Sequence, residues 1–169
     1  MVFKILSLLY NNMVITIIFI KINFWVVYYM INDKELIKIA IEARKDAYTP
    51  YSKYKVGAAL VTKDGTIYKG CNIECAAYSA CTCAERTALI RAISDGHRTI
   101  TAVAVVGGNE DETDNFSNYA APCGVCRQYL REFCDPQKMR VIVGKSENDF
   151  KTFTLDEMLP LSFGPDNLK

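Results

Sequence analysis

The hydrophobic positions of the chain change their period several times, and each change indicates a new element. From Asp33 to Tyr48 the apolar residues fall at helical spacing, which predicts an amphipathic helix. The run from Lys55 to Thr62 is short and mostly apolar, and it indicates a buried strand. Asp64 and Gly65 are typical of a tight turn, so the next segment, Thr66 to Cys71, is predicted to form a hairpin with that strand.

A central helix is predicted from Ala84 to Ser94 and a further helix from Pro122 to about Phe133. Between them, Gly107 to Ala121 is a polar segment, either a solvated surface loop or a rim over the mouth of a site. The remaining predicted elements are three strands and a capping box: Thr101 to Val106, Met139 to Val143, Phe150 to Phe153, and Thr154 to Glu157. This alternation predicts a mixed sheet covered by helices.

Residues Met1 to Met30 differ from the rest of the chain. They contain no Gly, Ala, Pro, Arg, Asp or Glu, and Ile, Asn, Lys, Tyr and Phe supply 17 of the 30. Because those five amino acids have AT-rich codons, we interpret the segment as a translated leader, with Met30 as the natural start of a domain over residues 31–169. The alternative is a membrane anchor, since Val14 to Met30 is largely apolar, although Lys21 and Asn23 interrupt it.

Charge and cysteine content narrow the class of protein. Lys and Arg total 20 against 19 Asp and Glu, a formal net charge of +1 without a long basic run, so no nucleic-acid partner is expected. The seven cysteines are odd in number and lack the spacing of a small disulfide scaffold, which favours a reducing, cytoplasmic compartment. Four of them are expected to be small buried residues: Cys71, Cys75, Cys81 and Cys134.

The other three cysteines carry the candidate chemistry. Cys83 precedes Glu85 by two residues, and Cys123 and Cys126 lie three residues apart. If each pair opens a helix, the helix dipoles favour the deprotonated, metal-binding thiolates. Three protein ligands leave one tetrahedral position open, which is the pattern of a catalytic zinc site. Glu85 lies on the apolar face of its helix and would move protons to and from a water activated there.

Less specific interpretations exist for the same residues. Glu85 could be an ordinary first-turn glutamate that complements the helix dipole. The cysteines could hold a purely structural zinc in a binding module, with Cys81 or Cys71 as the fourth ligand. His97 follows Gly96 at the end of the central helix, where a cation complements the dipole, and it is not expected to bind zinc.

Three motifs give the chain a close resemblance to the family of small cytidine deaminases. They are Gly70-Cys71-Asn72-Ile73-Glu74, Cys83-Ala84-Glu85-Arg86-Thr87-Ala88 and Pro122-Cys123-Gly124-Val125-Cys126-Arg127-Gln128. The resemblance covers about Asp33 to Phe163. It implies a three-layer α/β/α fold, zinc-dependent hydrolysis of cytidine and 2′-deoxycytidine in pyrimidine salvage, and a homotetramer. Relatives that deaminate aminoacylnucleoside antibiotics share the cysteine motifs, so they remain an alternative.

The resemblance also assigns roles outside the zinc ligands. It implies that Arg86 hydrogen-bonds the ligand sulfurs and that Asn72 and Glu74 hold the ribose hydroxyls. The main-chain N–H of Ala84 would bind the base, and Phe163 would reach the site of a neighbouring subunit. Tyr54 departs from the family pattern, which has a phenylalanine against the pyrimidine ring. Cys75 is a second departure, because asparagine is common at that place.

Overall fold

The computed structural model describes residues 32–168, so the predicted extension from Met1 to Met30 lies outside the described part of the chain. Helix α1 spans Asp33–Arg44. The prediction that it continues to Tyr48 is wrong. Tyr48 instead forms a β-bridge with Ile73, and its N–H donates to the carbonyl of Asn72 at 3.1 Å. Pairing with a distant segment therefore ends the helical course earlier than the local pattern indicates.

The remaining elements follow the predicted order. Helix α2 spans Ala84–Ser94, with both bounds as predicted. The other helices are α3 (Gly124–Arg131) and α4 (Leu155–Met158), and the strands are β1 (Tyr54–Thr62), β2 (Ile67–Cys71), β3 (Ile100–Asn109), β4 (Arg140–Ser146) and β5 (Asp149–Thr154). The capping box at Thr154 is confirmed, because its side chain accepts the N–H of Glu157 at 3.2 Å.

The five strands form one mixed sheet in the order β2-β1-β3-β4-β5. Strands β3 and β4 are parallel, and every other neighbouring pair is antiparallel. The single parallel pair needs a crossover, and the chain between β3 and β4 supplies it with α3. The predicted mixed sheet is therefore confirmed.

Helices cover both faces of the sheet. Gly57 and Gly70 lie on adjacent strands but on opposite faces, because Gly70 pairs with Ala58. A Cβ at Gly57 would lie 2.5 Å from the backbone nitrogen of Arg44 in α1, and one at Gly70 would lie 2.5 Å from that of Ala88 in α2. Both positions therefore require glycine for close helix packing. The result is the predicted three-layer α/β/α architecture.

Helix α3 differs from the prediction at both ends. It begins at Gly124 rather than at Pro122, because Cys123 is extended, with ψ 165°, and serves as the N-cap residue. It ends at Arg131 rather than near Phe133. No helix within residues 32–168 is long and apolar enough to cross a membrane.

Candidate active site

Two helix N-termini bring three thiols together. Cys83 is the N-cap residue of α2, Cys123 is the N-cap residue of α3, and Cys126 lies in the first turn of α3. Their sulfur atoms all lie within 4.8 Å of one another. This is the only group of three or more candidate metal-ligand side chains among residues 32–168. The predicted ligand set is thus assembled from segments 40 residues apart.

The spacing of the sulfurs fits a tetrahedral zinc ion. Zinc–sulfur bonds of about 2.3 Å in tetrahedral geometry place two sulfurs about 3.8 Å apart. The Sγ atoms of Cys83 and Cys123 are 3.8 Å apart in the structure. The positive ends of two helix dipoles meet at the cluster, and they favour thiolates over thiols.

The thiols already differ in their affinity for protons. A hydrogen bond with Cys126 lowers the pKa of Cys83 to about 5, and the nearby charge of Arg86 contributes in the same direction. The same hydrogen bond raises the pKa of Cys126. The cluster therefore holds a thiolate at neutral pH, which a cation can bind without first displacing every proton.

Glu85 lies beside the cluster on the buried face of α2. Its side chain is only 4% exposed. Burial raises the pKa of Glu85 to about 7, and the charge of the Cys83 thiolate contributes to the increase. A first-turn glutamate that merely complemented the helix dipole would face solvent. A carboxyl group with a pKa near neutrality can both accept and donate a proton under physiological conditions.

Arg86 makes one hydrogen bond with its guanidinium group and, within the described part of the chain, leaves one buried nitrogen of that group without a partner. Its Nη2 atom donates to the carbonyl of Cys81 at 2.8 Å. Its Nε atom is buried and has no hydrogen-bond partner among residues 32–168. Since a buried donor without an acceptor is costly, a nearby thiolate acceptor would relieve it. This orphan donor also favours a site whose sulfurs carry negative charge, as zinc ligands do.

Cys83, Cys123 and Glu85 line a cavity of about 260 Å³. The predicted residues Tyr54, Asn72 and Ala84 line this cavity. Its lining also includes Val56 and Val105, which the sequence did not assign to the site, and two residues of the segment whose alternative interpretation was a rim over it, Ala120 and Ala121. The last two belong to the segment before Pro122, and their position next to the motif was the available signal for a rim over the site.

The predicted ribose ligands are placed differently from each other. The amide of Asn72 accepts the N–H of Val56 at 2.8 Å and donates to the carbonyl of Tyr54 at 2.9 Å. Glu74 does not line the cavity, and its carboxylate accepts the N–H groups of Tyr51 and Ser52 at 3.0 and 3.2 Å. Asn72 therefore faces the cavity, whereas Glu74 shapes the turn that enters β1.

Phe163 is not brought to the cavity by the chain itself. Its side chain is 60% exposed, and its carbonyl accepts a hydrogen bond from the Gln128 amide at 2.9 Å. His97 lies away from the thiols, with its Nδ1 atom 3.4 Å from a carboxylate oxygen of Asp64. The aromatic side chain of Phe163 therefore lies at the surface of the protein.

The four remaining cysteines do not match the prediction of buried residues. Cys75 is exposed, and the other three are partly exposed: Cys71, Cys81 and Cys134. The Sγ atom of Cys81 accepts the N–H of Cys75 at 3.3 Å, and that of Cys71 donates to the carbonyl of Asp46 at 3.4 Å. Neither candidate for a fourth zinc ligand belongs to the thiol cluster. A structural zinc with four thiolates is therefore disfavoured.

Within the α/β/α fold, three clustered thiols and a buried carboxyl group at one cavity form an arrangement that can bind a metal ion and transfer a proton. Residues 30–144 match the family described as "Cytidine and deoxycytidylate deaminase zinc-binding region", and the chain belongs to this family. The resemblance drawn from the motifs is confirmed. Zinc, predicted from the cysteine pattern, is the metal that this family binds.

Similar proteins cover most of the chain. The cytidine deaminase of Halalkalibacterium halodurans is 44% identical over 133 residues, which are 79% of this chain and 95% of that protein. The cytidine deaminase of Sporosarcina psychrophila is 45% identical over 135 residues, or 80% and 93% of the two chains. A crystal structure of cytidine deaminase from Burkholderia pseudomallei superposes with a TM-score of 0.68 at 43% identity, covering 76% of this chain and 97% of that one.

Proposed function

We propose that the protein hydrolyses cytidine and 2′-deoxycytidine to uridine and 2′-deoxyuridine with release of ammonia. The observation that carries this proposal is the buried carboxyl group of Glu85 beside three thiols at a cavity. Cys83, Cys123 and Cys126 hold the metal. When bound, zinc supplies a water molecule whose pKa is lowered enough to act as a nucleophile near neutral pH.

Glu85 moves the protons of the reaction. It accepts a proton from the attacking water and passes it to ring nitrogen N3 as the oxygen adds at C4. It then takes the remaining proton from the new C4 hydroxyl group and gives it to the amine, which leaves as ammonia when the C4–N bond breaks and the C4 carbonyl forms. A pKa of about 7 suits both directions of transfer, because the group is neither fully protonated nor fully ionised at neutral pH.

Arg86 balances the charge of the ligands. Three thiolates carry one more negative charge than the zinc dication neutralises, which would weaken activation of the water. The guanidinium beside Cys83 offsets this excess, and its buried Nε atom offers a hydrogen bond to a ligand sulfur. The N-termini of α2 and α3 act in the same direction.

The cavity residues hold the nucleoside. Tyr54 presents an aromatic face to the pyrimidine in place of the phenylalanine usual in the family. The first N–H groups of α2 have no intrahelical acceptor, so that of Ala84 is suited to bind the base. Asn72, which lines the cavity, holds one ribose hydroxyl, and Glu74, which lies just outside the cavity lining, holds another where the ribose extends beyond that lining. These contacts select nucleosides over free bases.

The assembly and cellular context belong to the same proposal. We infer a homotetramer in which the exposed Phe163 of one subunit reaches the site of another. The enzyme acts in the cytoplasm, in pyrimidine salvage. Residues 31–169 form the catalytic domain, and translation from Met30 yields the active protein. Only if Met1 to Met30 is a genuine anchor does the protein associate with a membrane.

The decisive experiment follows the loss of cytidine by ultraviolet absorbance and the release of ammonia, with zinc-loaded protein. The full chain and a form that starts at Met30 are compared, and Glu85→Gln serves as the inactive counterpart. The proposal is supported if the full chain and the form that starts at Met30 both release uridine and ammonia in equal amounts, and if Glu85→Gln releases almost none. A folded, zinc-loaded parent that leaves cytidine intact but deaminates an aminoacylnucleoside antibiotic would show that the substrate class is wrong.

A further inference from the structure

Arg44, at the end of α1, is buried although it lies outside the cavity lining. Its side chain is 5% exposed. Its guanidinium donates to four carbonyl oxygens: Nε to Lys55 at 3.0 Å, Nη1 to Glu112 at 2.7 Å, and Nη2 to Gly108 at 2.9 Å and to Asn109. Only the planar fork of arginine can donate in so many directions at once. The mechanism above gives this buried cation no role.

These four carbonyl groups lie around Tyr54, the aromatic residue that lines the cavity. Tyr54 opens β1 and pairs with Asn109 at the end of β3. Arg44 bonds the residue after Tyr54 on one strand and Asn109 on the other. The guanidinium therefore ties together the two strand ends that determine where the Tyr54 ring lies.

The loop that follows β3 is held by the same guanidinium group. Arg44 also bonds the carbonyl of Glu112, and its Cζ atom lies 4.7 Å from the ring centroid of Phe116, which is 1% exposed. The Glu112 carboxylate accepts the N–H of Asn109 at 2.7 Å and that of Ser117 at 2.8 Å. The predicted solvated loop is thus a closed loop with a buried aromatic anchor beneath Arg44.

Tyr54 and Ala120, which line the cavity from two different segments, both lie close to Gly107. A Cβ at Gly107 would lie 2.8 Å from the Cβ of Ala120 and 3.2 Å from Cε1 of Tyr54. Both of those residues line the cavity. Any change in the end of β3 or in the loop that follows it therefore changes the separation of Tyr54 from Ala120.

We propose that Arg44 is a positioning residue for the nucleoside pocket, fixing the Tyr54 and Ala120 walls through the carbonyls of β1, β3 and the loop 109–117. This inference rests on the proposed function. Arg44 touches neither the thiols nor Glu85, so it acts on substrate binding rather than on the chemical step.

The test compares zinc-loaded Arg44→Lys with the parent. Lysine keeps the charge but loses the fork, so we expect KM for cytidine and Kd for uridine to rise about tenfold, with kcat changed less than about threefold. Zinc content should be unchanged. Amide hydrogen exchange should be faster at residues 110–117. The matched control is Arg98→Lys, another arginine that bonds carbonyls, those of Ile93 and His97 at the far end of α2.

Each result is decisive. A lower melting temperature with unchanged KM and Kd would make Arg44 merely structural, and would overturn the inference. Loss of zinc or a large fall in kcat would place its role at the metal centre, which also contradicts it. If the parent protein itself neither deaminates cytidine nor binds uridine, the proposed function is wrong and so is the positioning role. This case is distinct from the others because the failure is measured in the parent and not only in Arg44→Lys.

Discussion

Strand β1 begins at the cavity and ends at a tight turn, and different contacts hold these two ends. At the turn, Asp64 accepts hydrogen bonds from the Thr62 hydroxyl and from the N–H of Thr66 at 3.1 Å. The N–H of Gly65 donates to the carbonyl of Thr62 at 3.0 Å, and its φ of +89° suits glycine. All of these contacts lie within five consecutive residues.

At the cavity end the contacts come from distant parts of the chain. Asn72, from the segment after β2, bonds the backbone on both sides of Lys55. Arg44 bonds Lys55 itself and reaches across to Asn109. The cavity end of the strand therefore depends on side chains from distant segments. The turn itself is shaped by contacts within residues 62–66, and the distant contacts near it come from Thr99, Thr101 and His97. Substitutions near the cavity should change activity, and substitutions at the turn should change only stability.

Removing one of the three proposed metal ligands gives the largest expected effect. In Cys126→Ala, the two remaining thiols cannot hold zinc tightly, so zinc content and deaminase activity should both fall below detection. Metal analysis after gel filtration, together with the cytidine assay, measures this. The control is Cys75→Ala, an exposed thiol outside the cluster, which should retain both. Full zinc in Cys126→Ala would contradict the assigned ligand set.

Glu85→Gln should lose at least about 10²–10⁴-fold in kcat, because a neutral amide cannot transfer protons. Zinc content and melting temperature should stay close to those of the parent. Glu157→Gln provides the matched control, since Glu157 also lies in the first turn of a helix but serves a capping box. The assignment is wrong if the two variants keep similar activity.

Asn72→Ala should weaken both the strand end and the nucleoside pocket. We expect KM for cytidine to rise by about 10- to 100-fold and the free energy of unfolding to fall by about 1–2 kcal/mol, because the N–H of Val56 loses its acceptor. Steady-state kinetics and urea unfolding measure the two effects. Asn148→Ala, in the exposed turn between β4 and β5, should change neither by a comparable amount. An unchanged KM would remove Asn72 from the binding site.

Asp64→Asn should give the smallest effect, a loss of stability that is present above about pH 4 and disappears at low pH. The hydrogen bond from Thr62 lowers the pKa of Asp64 to about 2, below the value of about 3.9 in an unfolded chain. The ionised form therefore stabilises the fold above about pH 4, and this contribution is lost as pH falls towards 2. The difference in melting temperature between parent and variant should shrink over that range. A change in KM for cytidine would break the contrast between the two ends.

The sequence predicted most of what local interactions determine. The bounds of α2, the hairpin at Asp64 and Gly65, and the capping box at Thr154 all follow from periodicity, turn residues and caps. The expectation that Cys83 and Cys123 lie at helix starts is also met, since each is an N-cap residue. These features depend on residues within one or two turns of each other.

The errors arise where distant segments meet. The end of α1 is set by pairing of Tyr48 with Ile73, 25 residues further along the chain. The cavity walls at Ala120 and Ala121 and the buried fork of Arg44 carry no periodic signal at all. Such features result from contacts between segments that are far apart in the chain, which local patterns do not contain.

The most direct test of the account is zinc K-edge X-ray absorption on the zinc-loaded protein. We expect three sulfur ligands at about 2.3 Å and one oxygen or nitrogen ligand, because only Cys83, Cys123 and Cys126 form the cluster within residues 32–168. That coordination leaves one position for the reacting water. A shell of four sulfurs would mean a closed, structural zinc and would contradict a hydrolytic site.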